Sequence, residues 1–283
     1  MRLCPNPILY AAACDSSSSE DDLGAMCTSS EGYSSDIGAL LQPPTTLLWV
    51  RVSALRIHDN PALSWAIQEP YTRFRAVFII DPWFASGEKK FGACRWRFLI
   101  ESLHDLDNQL RCFNSRLYVA RGQPVAVLEK LCEQWNVTSL VFQTIGEPHS
   151  QMMETALERL AKGKGLEVHK FPPHMLYGVD RVLEMNHNQP VTTFNKFKEL
   201  LPFLGTPEAP LHRPRLPVTK LITCEDELLD SDYRIPTMEE LGFLGETLYT
   251  NHWIGGESEA LRKLPSYYQL RSCLLYTSDA ADE

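Results

Sequence analysis

Carboxylates that follow short apolar runs are the first residues with chemistry to offer. Asp81 follows Ala76–Ile80 and Glu147 follows Leu140–Phe142, and a carboxylate at the exit of a buried strand can orient a ligand. Taken singly, each suits a turn or helix start equally well. His58 invites an acid–base role, yet it stands just before Asn60-Pro61, where a hydrogen-bonding turn role fits better. Trp49, Trp65, Trp83, Trp96, Trp135 and Trp253 raise electron transfer. A relay needs its rings close to one another and to an acceptor, and most of these fall on apolar stripes or strand ends, where they read as core. Phosphate and nucleophilic chemistry lack their signatures. The first strand–helix turn, Val52-Ser53-Ala54-Leu55-Arg56, carries neither GxGxxG nor GxxxxGKS/T, and no GxSxG elbow occurs. These absences argue against a dinucleotide dehydrogenase, a P-loop NTPase and a serine hydrolase of the elbow type. The eight cysteines (Cys4, Cys14, Cys27, Cys94, Cys112, Cys132, Cys224 and Cys273) form no CxxC pair and have no histidines at zinc spacing, so no metal centre is expected. Arg95, Arg97 and Arg111, with Asp105 and Asp107, read as the solvated face of a helix.

Those residues must be held by a chain of 283 residues that is 44% hydrophobic and 22% charged, the balance of a globular protein. No apolar run approaches the ~20 residues that span a bilayer, so no membrane partner is expected. The net charge is −9, and residues 1–45 supply much of it with six acids against Arg2 alone. The last ten residues add Asp279, Asp282 and Glu283, which leaves the middle almost neutral. Binding nucleic acid by charge alone would need a basic surplus, and there is none. Scattered thiols and the lack of a long apolar leader read as reduced and intracellular.

Residues 1–45, rich in serine and acids, read as an unstructured leader that cannot bury enough apolar surface to offset the entropy of ordering. From Thr46 the texture changes. Leu47–Val50, Ala76–Ile80, Leu117–Ala120, Leu140–Phe142 and Leu166–Val168 are short apolar runs without polar alternation, as strands covered on both faces require. Helical patterns lie between them. Asn60-Pro61 is an N-cap followed by proline at the first helical position. Trp96, Leu99, Ile100, Leu103, Leu106 and Leu110 make one stripe, and Leu128, Leu131, Cys132 and Trp135 make another behind Pro124. A third, Met152, Met153, Ala156, Leu157 and Leu160, follows Pro148 and closes near Gly163. The alternation predicts an α/β fold with a doubly wound, five-stranded parallel sheet over residues 46–172.

After Phe171, closely spaced prolines break the rhythm. A short helix behind Thr192 and Thr193 carries Phe194 and Phe197. Residues 173–235 read as a connector and 236–273 as the truncated start of a helical domain, with a capping box at Thr237–Glu240 and a helix from Glu257 that Pro265 stops. An apolar surface is expected near Phe194, Phe197 and Trp253.

Longer strings carry a resemblance. Leu55-Arg-Ile-His-Asp-Asn-Pro-Ala-Leu63, Asp81-Pro-Trp-Phe84, Arg95-Trp-Arg-Phe-Leu99, Asp105-Leu-Asp107, Asn114-Ser-Arg-Leu117, Arg121-Gly-Gln-Pro124, Gly146-Glu-Pro148, Glu240-Leu-Gly-Phe243 and Trp253-Ile-Gly-Gly-Glu-Ser-Glu-Ala-Leu261 occur in this order. Together, over residues 46–264, they resemble the photolyase/cryptochrome family, and most closely its animal cryptochromes and (6-4) photolyases.

The resemblance implies an N-terminal α/β domain with a cleft that holds an antenna chromophore in some members, joined by a connector to a helical domain that binds FAD. Arg51 and Glu147 are the candidates for the antenna cleft. On structural grounds alone they would be half of a surface ion pair and a helix-start residue. The chain departs from the family at Trp49-Val-Arg-Val-Ser-Ala54, where relatives have Trp-Phe-Arg-Lys-Gly, at Gln151-Met-Met-Glu154, and at His187-Asn-Gln-Pro-Val-Thr-Thr-Phe194. These changes weaken an antenna role. The flavin cradle and electron relay lie in later helices of the family, so the string reads as an N-terminal fragment that holds no FAD itself and no catalytic residue, with 274–283 as a non-native tail. For the intact protein the resemblance implies a blue-light photoreceptor or circadian-clock transcriptional regulator in the nucleus and cytoplasm, with clock or light-signalling proteins as partners. A (6-4) photolyase acting on damaged DNA is the alternative.

Overall fold

The first four apolar runs become strands buried on both faces, where an unbroken row of Leu, Val, Ile and Phe loses most contact with water. The run at Leu166–Val168 instead leads into a half-exposed edge strand, Glu167–Phe171, whose polar residues keep one side in water. In the computed structural model these strands are β1 (Thr45–Val50), β2 (Arg73–Ile80), β3 (Leu117–Arg121), β4 (Val137–Gln143) and β5 (Glu167–Phe171). All pair in parallel in the order β3-β2-β1-β4-β5. The structure describes residues 44–68, 73–82, 91–112, 114–172, 175–214, 233–243 and 253–278, with side chains up to 268. The expected leader before Pro44, much of the connector (215–232), Trp83 and the last five residues of the expected tail lie outside the described residues.

Four helices cross between the strands: α1 (Pro61–Gln68), α2 (Ala93–Arg111), α3 (Pro124–Gln134) and α4 (Pro148–Lys164). Two cores result. On one face, Leu48, Val50, Ala76, Phe78 and Val119 pack with Leu63 of α1 and Trp96, Leu103, Leu106 and Leu110 of α2. On the other, Leu47, Trp49, Val77, Tyr118 and Phe142 pack with Leu128, Leu131 and Cys132 of α3 and Leu157 of α4. The chain winds outward over the first face, then returns over the second, which is the doubly wound pattern with right-handed crossovers.

The caps follow the sequence. Asn60 Oδ1 accepts from the Leu63 N–H at 3.0 Å, as an N-cap before Pro61 should. The third helix stripe needs correction. Helix α4 buries Ser150, Glu154, Leu157 and Ala161, while Met152 is 73% exposed. The helix ends near Gly163 as expected, at a turn set by Gly165, left-handed at φ 68°.

Three helices follow the sheet: α5 (Val179–Met185), α6 (Phe194–Leu204) and α7 (Glu257–Ser278). Thr193 caps α6 by accepting from the Lys196 N–H. The capping-box bonds between Thr237 and Glu240 form in both directions, at 3.1 and 3.3 Å, but they close a turn and not a helix. Helix α7 runs on through Pro265, against expectation. Proline removes one N–H and crowds the carbonyl four residues back; here that is Leu261, itself 53% exposed, where water can take the freed acceptor. Phe194 and Trp253 are exposed as expected, whereas Phe197 is half-buried against Tyr177.

Tyr233 covers the β3 edge. Its carbonyl accepts from the Val119 N–H at 2.8 Å, and its ring packs on Tyr118 and Trp135. An open strand edge invites pairing with other chains, and this segment blocks it.

Burial pushes the Cys132 thiol up to about 11, while Cys94 and Cys112 are exposed. Iodoacetamide at about pH 8 is expected to alkylate Cys94 and Cys112 at least roughly tenfold faster than Cys132, from thiolate fraction and access together. Peptide mass spectrometry reads the difference; equal rates would mean that the α3 face of the sheet opens readily.

Candidate functional site

The carboxyl ends of β1, β2 and β4 open into a cleft of about 860 Å³. Its position follows from the strand order. The chain leaves β1 toward one face and β4 toward the other, so the two loops part and leave a crevice between them. Trp49, Val50 and Ile80 form the strand-end floor, Phe91, Trp96 and Leu99 one wall, and Gly256, Ala260 and Leu261 of the α7 start reach the rim.

Arg51, the residue after β1, lies in this crevice but faces inward. It is 6% exposed. Its Nη1 bonds Glu154 Oε1 at 2.9 Å, its Nη2 donates to Ser150 Oγ at 2.9 Å, and its guanidinium lies 4.3 Å from the Trp49 ring centre. The surface ion pair expected for Arg51 is therefore a buried one, because the first turns of α4 fold over the end of β1. The same Glu154 oxygen also accepts from the Ile145 N–H at 3.1 Å. Burial pulls the Arg51 pKa below its ordinary value, and the charge and hydrogen bond of Glu154, then the more distant charge of Glu147, oppose the shift. Glu147 is exposed at the N-cap position of α4, where its side chain makes no capping bond. The structure thus brings both candidates to one cleft, with Arg51 committed to internal partners and Glu147 open to solvent.

Other residues of the site are less visible in the sequence. Asp81, 4% exposed at the end of β2, has its Oδ2 3.6 Å from His149 Nε2. His149 lies one residue beyond the Gly-Glu-Pro string that opens α4, which is the only signal it gave. Glu257 was hidden within the Gly-Gly-Glu string. Its two oxygens accept from the backbone N–H groups of Ile57 and His58 at 2.8 and 2.9 Å. His58 thereby takes a turn role through its backbone, as expected. Asp105 and Asp107 are not a solvated face. Asp107 accepts from the Leu117 N–H at 2.8 Å while pairing with Arg111, and Asp105 accepts from the Ser258 N–H at 3.0 Å.

Ser150 accepts from Arg51 and Ser102 donates to the Phe98 carbonyl, so neither hydroxyl is set against a base. Among the described residues no group of three or more His, Cys, Asp or Glu side chains could hold a metal ion, and no helix is long and apolar enough to cross a membrane. Asp59, Asp81, Glu147 and Glu257 outnumber Arg51, Arg56 and Arg95 along the lining. An apolar slot with a slightly acidic rim takes a planar aromatic ring more readily than a polyphosphate.

Known proteins share this organisation. The DNA photolyase family model matches residues 46–214. Cryptochrome-2 of Gallus gallus is 39% identical over 227 residues, covering 79% of this chain and 38% of its own length. Cryptochrome-1 of Mus musculus is 40% identical over 229 residues, covering 79% and 37% respectively. The chain thus spans well under half the length of these relatives. An archaeal photolyase from Sulfolobus tokodaii, solved with two FAD molecules, shares the fold at a TM-score of 0.60 and 20% identity, over 78% of this chain and 46% of that one. With the winding of the sheet, its switch-point crevice and a family match across more than half of the residues in agreement, this chain belongs to the DNA photolyase family, which takes in the cryptochromes.

Proposed function

We propose that the intact protein is a cryptochrome-type flavoprotein: a blue-light photoreceptor or circadian-clock transcriptional regulator that works through clock or light-signalling proteins in the nucleus and cytoplasm. The observation that carries this reading is the 39–40% identity to animal cryptochromes over 79% of the chain. The cleft supports it as well. Arg51, the cation nominated for an antenna chromophore, is buried and tied to Glu154 and Ser150, which favours a protein that does not rely on a light-harvesting ligand there.

FAD comes to this reading from the family, and the cleft itself is a poor match for it. The slot fits a planar ring, but the turn after β1 has no glycine-lined phosphate cradle and the rim is acidic. The flavin therefore belongs to the intact protein and to parts other than this cleft. The 283-residue chain, purified alone, is expected to show at most trace flavin absorbance in the visible range. Stoichiometric flavin would overturn that assignment.

The regulator is distinguished from a (6-4) photolyase by the full-length gene product. Repression of a clock-driven reporter, without light-dependent repair of (6-4) lesions in DNA, is the expected result. Restoration of such lesions under blue light would select the repair enzyme and damaged DNA as its partner.

A further inference from the structure

The rim of the cleft is held from far along the chain. Glu257, the first residue of α7, accepts from the backbone N–H groups of Ile57 and His58, 200 and 199 residues away in sequence. Gln109 Nε2 lies 3.3 Å from the same carboxylate. Ile57 is fully buried, so its N–H has no recourse to water if that carboxylate leaves, and an orphaned buried donor is strongly disfavoured. The loop carrying these amides supplies Leu55, Arg56 and His58 to the lining.

Glu257 is itself placed by a second set of bonds running the opposite way. The Gly255 N–H donates to Glu101 Oε2 at 2.8 Å and the Ser258 N–H to Asp105 Oδ2 at 3.0 Å, both acceptors belonging to α2. Acids of α2 therefore cap the start of α7, and an acid of α7 caps the loop after β1. The approach is close enough to demand glycine: a Cβ at Gly255 would lie 2.1 Å from the Phe98 carbonyl oxygen, and Gly256, at φ 112°, would place one 2.6 Å from Asp105.

From this exchange we infer that Glu257 is a positioning residue for the cleft, and that docking of residues 253–258 on α2 sets the shape of its rim. The cleft and the start of α7 form one coupled unit, so a molecule that fills the slot and a partner that shifts α7 act on the same loop. The inference does not depend on what the cleft binds.

Amide hydrogen exchange on the full chain tests it. In Glu257→Ala, exchange at Ile57 and His58 is expected to rise about 10- to 100-fold, as loss of a bond to a charged acceptor implies, while Leu48 and Val50 in β1 hold their rates. Glu257→Gln keeps one carbonyl acceptor and should leave one of the two amides protected. The double variant Glu101→Ala/Asp105→Ala touches neither amide, yet should raise exchange at both several-fold (about one hydrogen bond's worth each). Unchanged Ile57 and His58 in Glu257→Ala would overturn the inference. So would unchanged amides in the double variant, which would reduce Glu257 to a local cap, and so would an equal rise at Leu48 and Val50, which would mean general loosening.

Discussion

Glu154→Ala is expected to destabilise the protein by about 3–5 kcal/mol, because it strips the partner from a charge that stays buried. Arg51 is 6% exposed and has Ser150 Oγ as its other acceptor, a neutral group that cannot replace a carboxylate. The Ile145 N–H loses its acceptor in the same change. For a chain of this size the loss lowers the melting temperature by roughly 10 °C. Thermal unfolding followed by circular dichroism measures it. The informative companion is Arg51→Met/Glu154→Met, which removes both charges and fills the space with apolar atoms. It is expected to recover most of the lost stability, since replacing a buried pair whole is often near neutral. A double variant as unstable as Glu154→Ala would show that Arg51 contributes through stacking on Trp49 and not through its charge.

Gly255→Ala is the second large effect. A methyl group 2.1 Å from the Phe98 carbonyl oxygen and 2.6 Å from Ser102 Oγ cannot be absorbed by a flexible side chain, because the nearest atom is backbone. Either α2 distorts or the segment lifts away. Overpacking of this kind costs about 1–3 kcal/mol, and lifting also forfeits the bonds from Gly255 to Glu101, from Ser258 to Asp105 and from Glu257 to the loop after β1. Proteolysis is expected to cut near residues 253–261 faster than in the parent chain, while the sheet keeps its melting transition. Wild-type resistance in that segment would show that the backbone shifts cheaply to admit the methyl.

The strands and four crossing helices were legible because the signals for them are local. An unbroken apolar run, an Asn-Pro start and a stripe at helical spacing each state their structure within about ten residues. Helix α4 misled for a physical reason. The buried partner of Arg51 turns a polar edge of the helix inward, so Ser150 and Glu154 occupy positions that a hydrophobicity pattern assigns to solvent. Asp105 and Asp107 misled likewise, as the N–H groups that donate to them, those of Ser258 and Leu117, come from other segments. A cleft beyond the carboxyl ends of the strands follows from a doubly wound sheet alone, and Arg51 and Glu147 line the one observed. Its rim could not be read, since nothing near Ile57 announces a carboxylate at position 257.

By the time β4 has left the ribosome, every strand that floors the cleft has been synthesised, and the sheet can begin to assemble. The rim must wait for Glu257, more than a hundred residues later. At elongation rates of about 5–20 residues per second, the nascent chain carries an open, apolar slot for roughly 6–23 seconds before its own later sequence arrives to finish it.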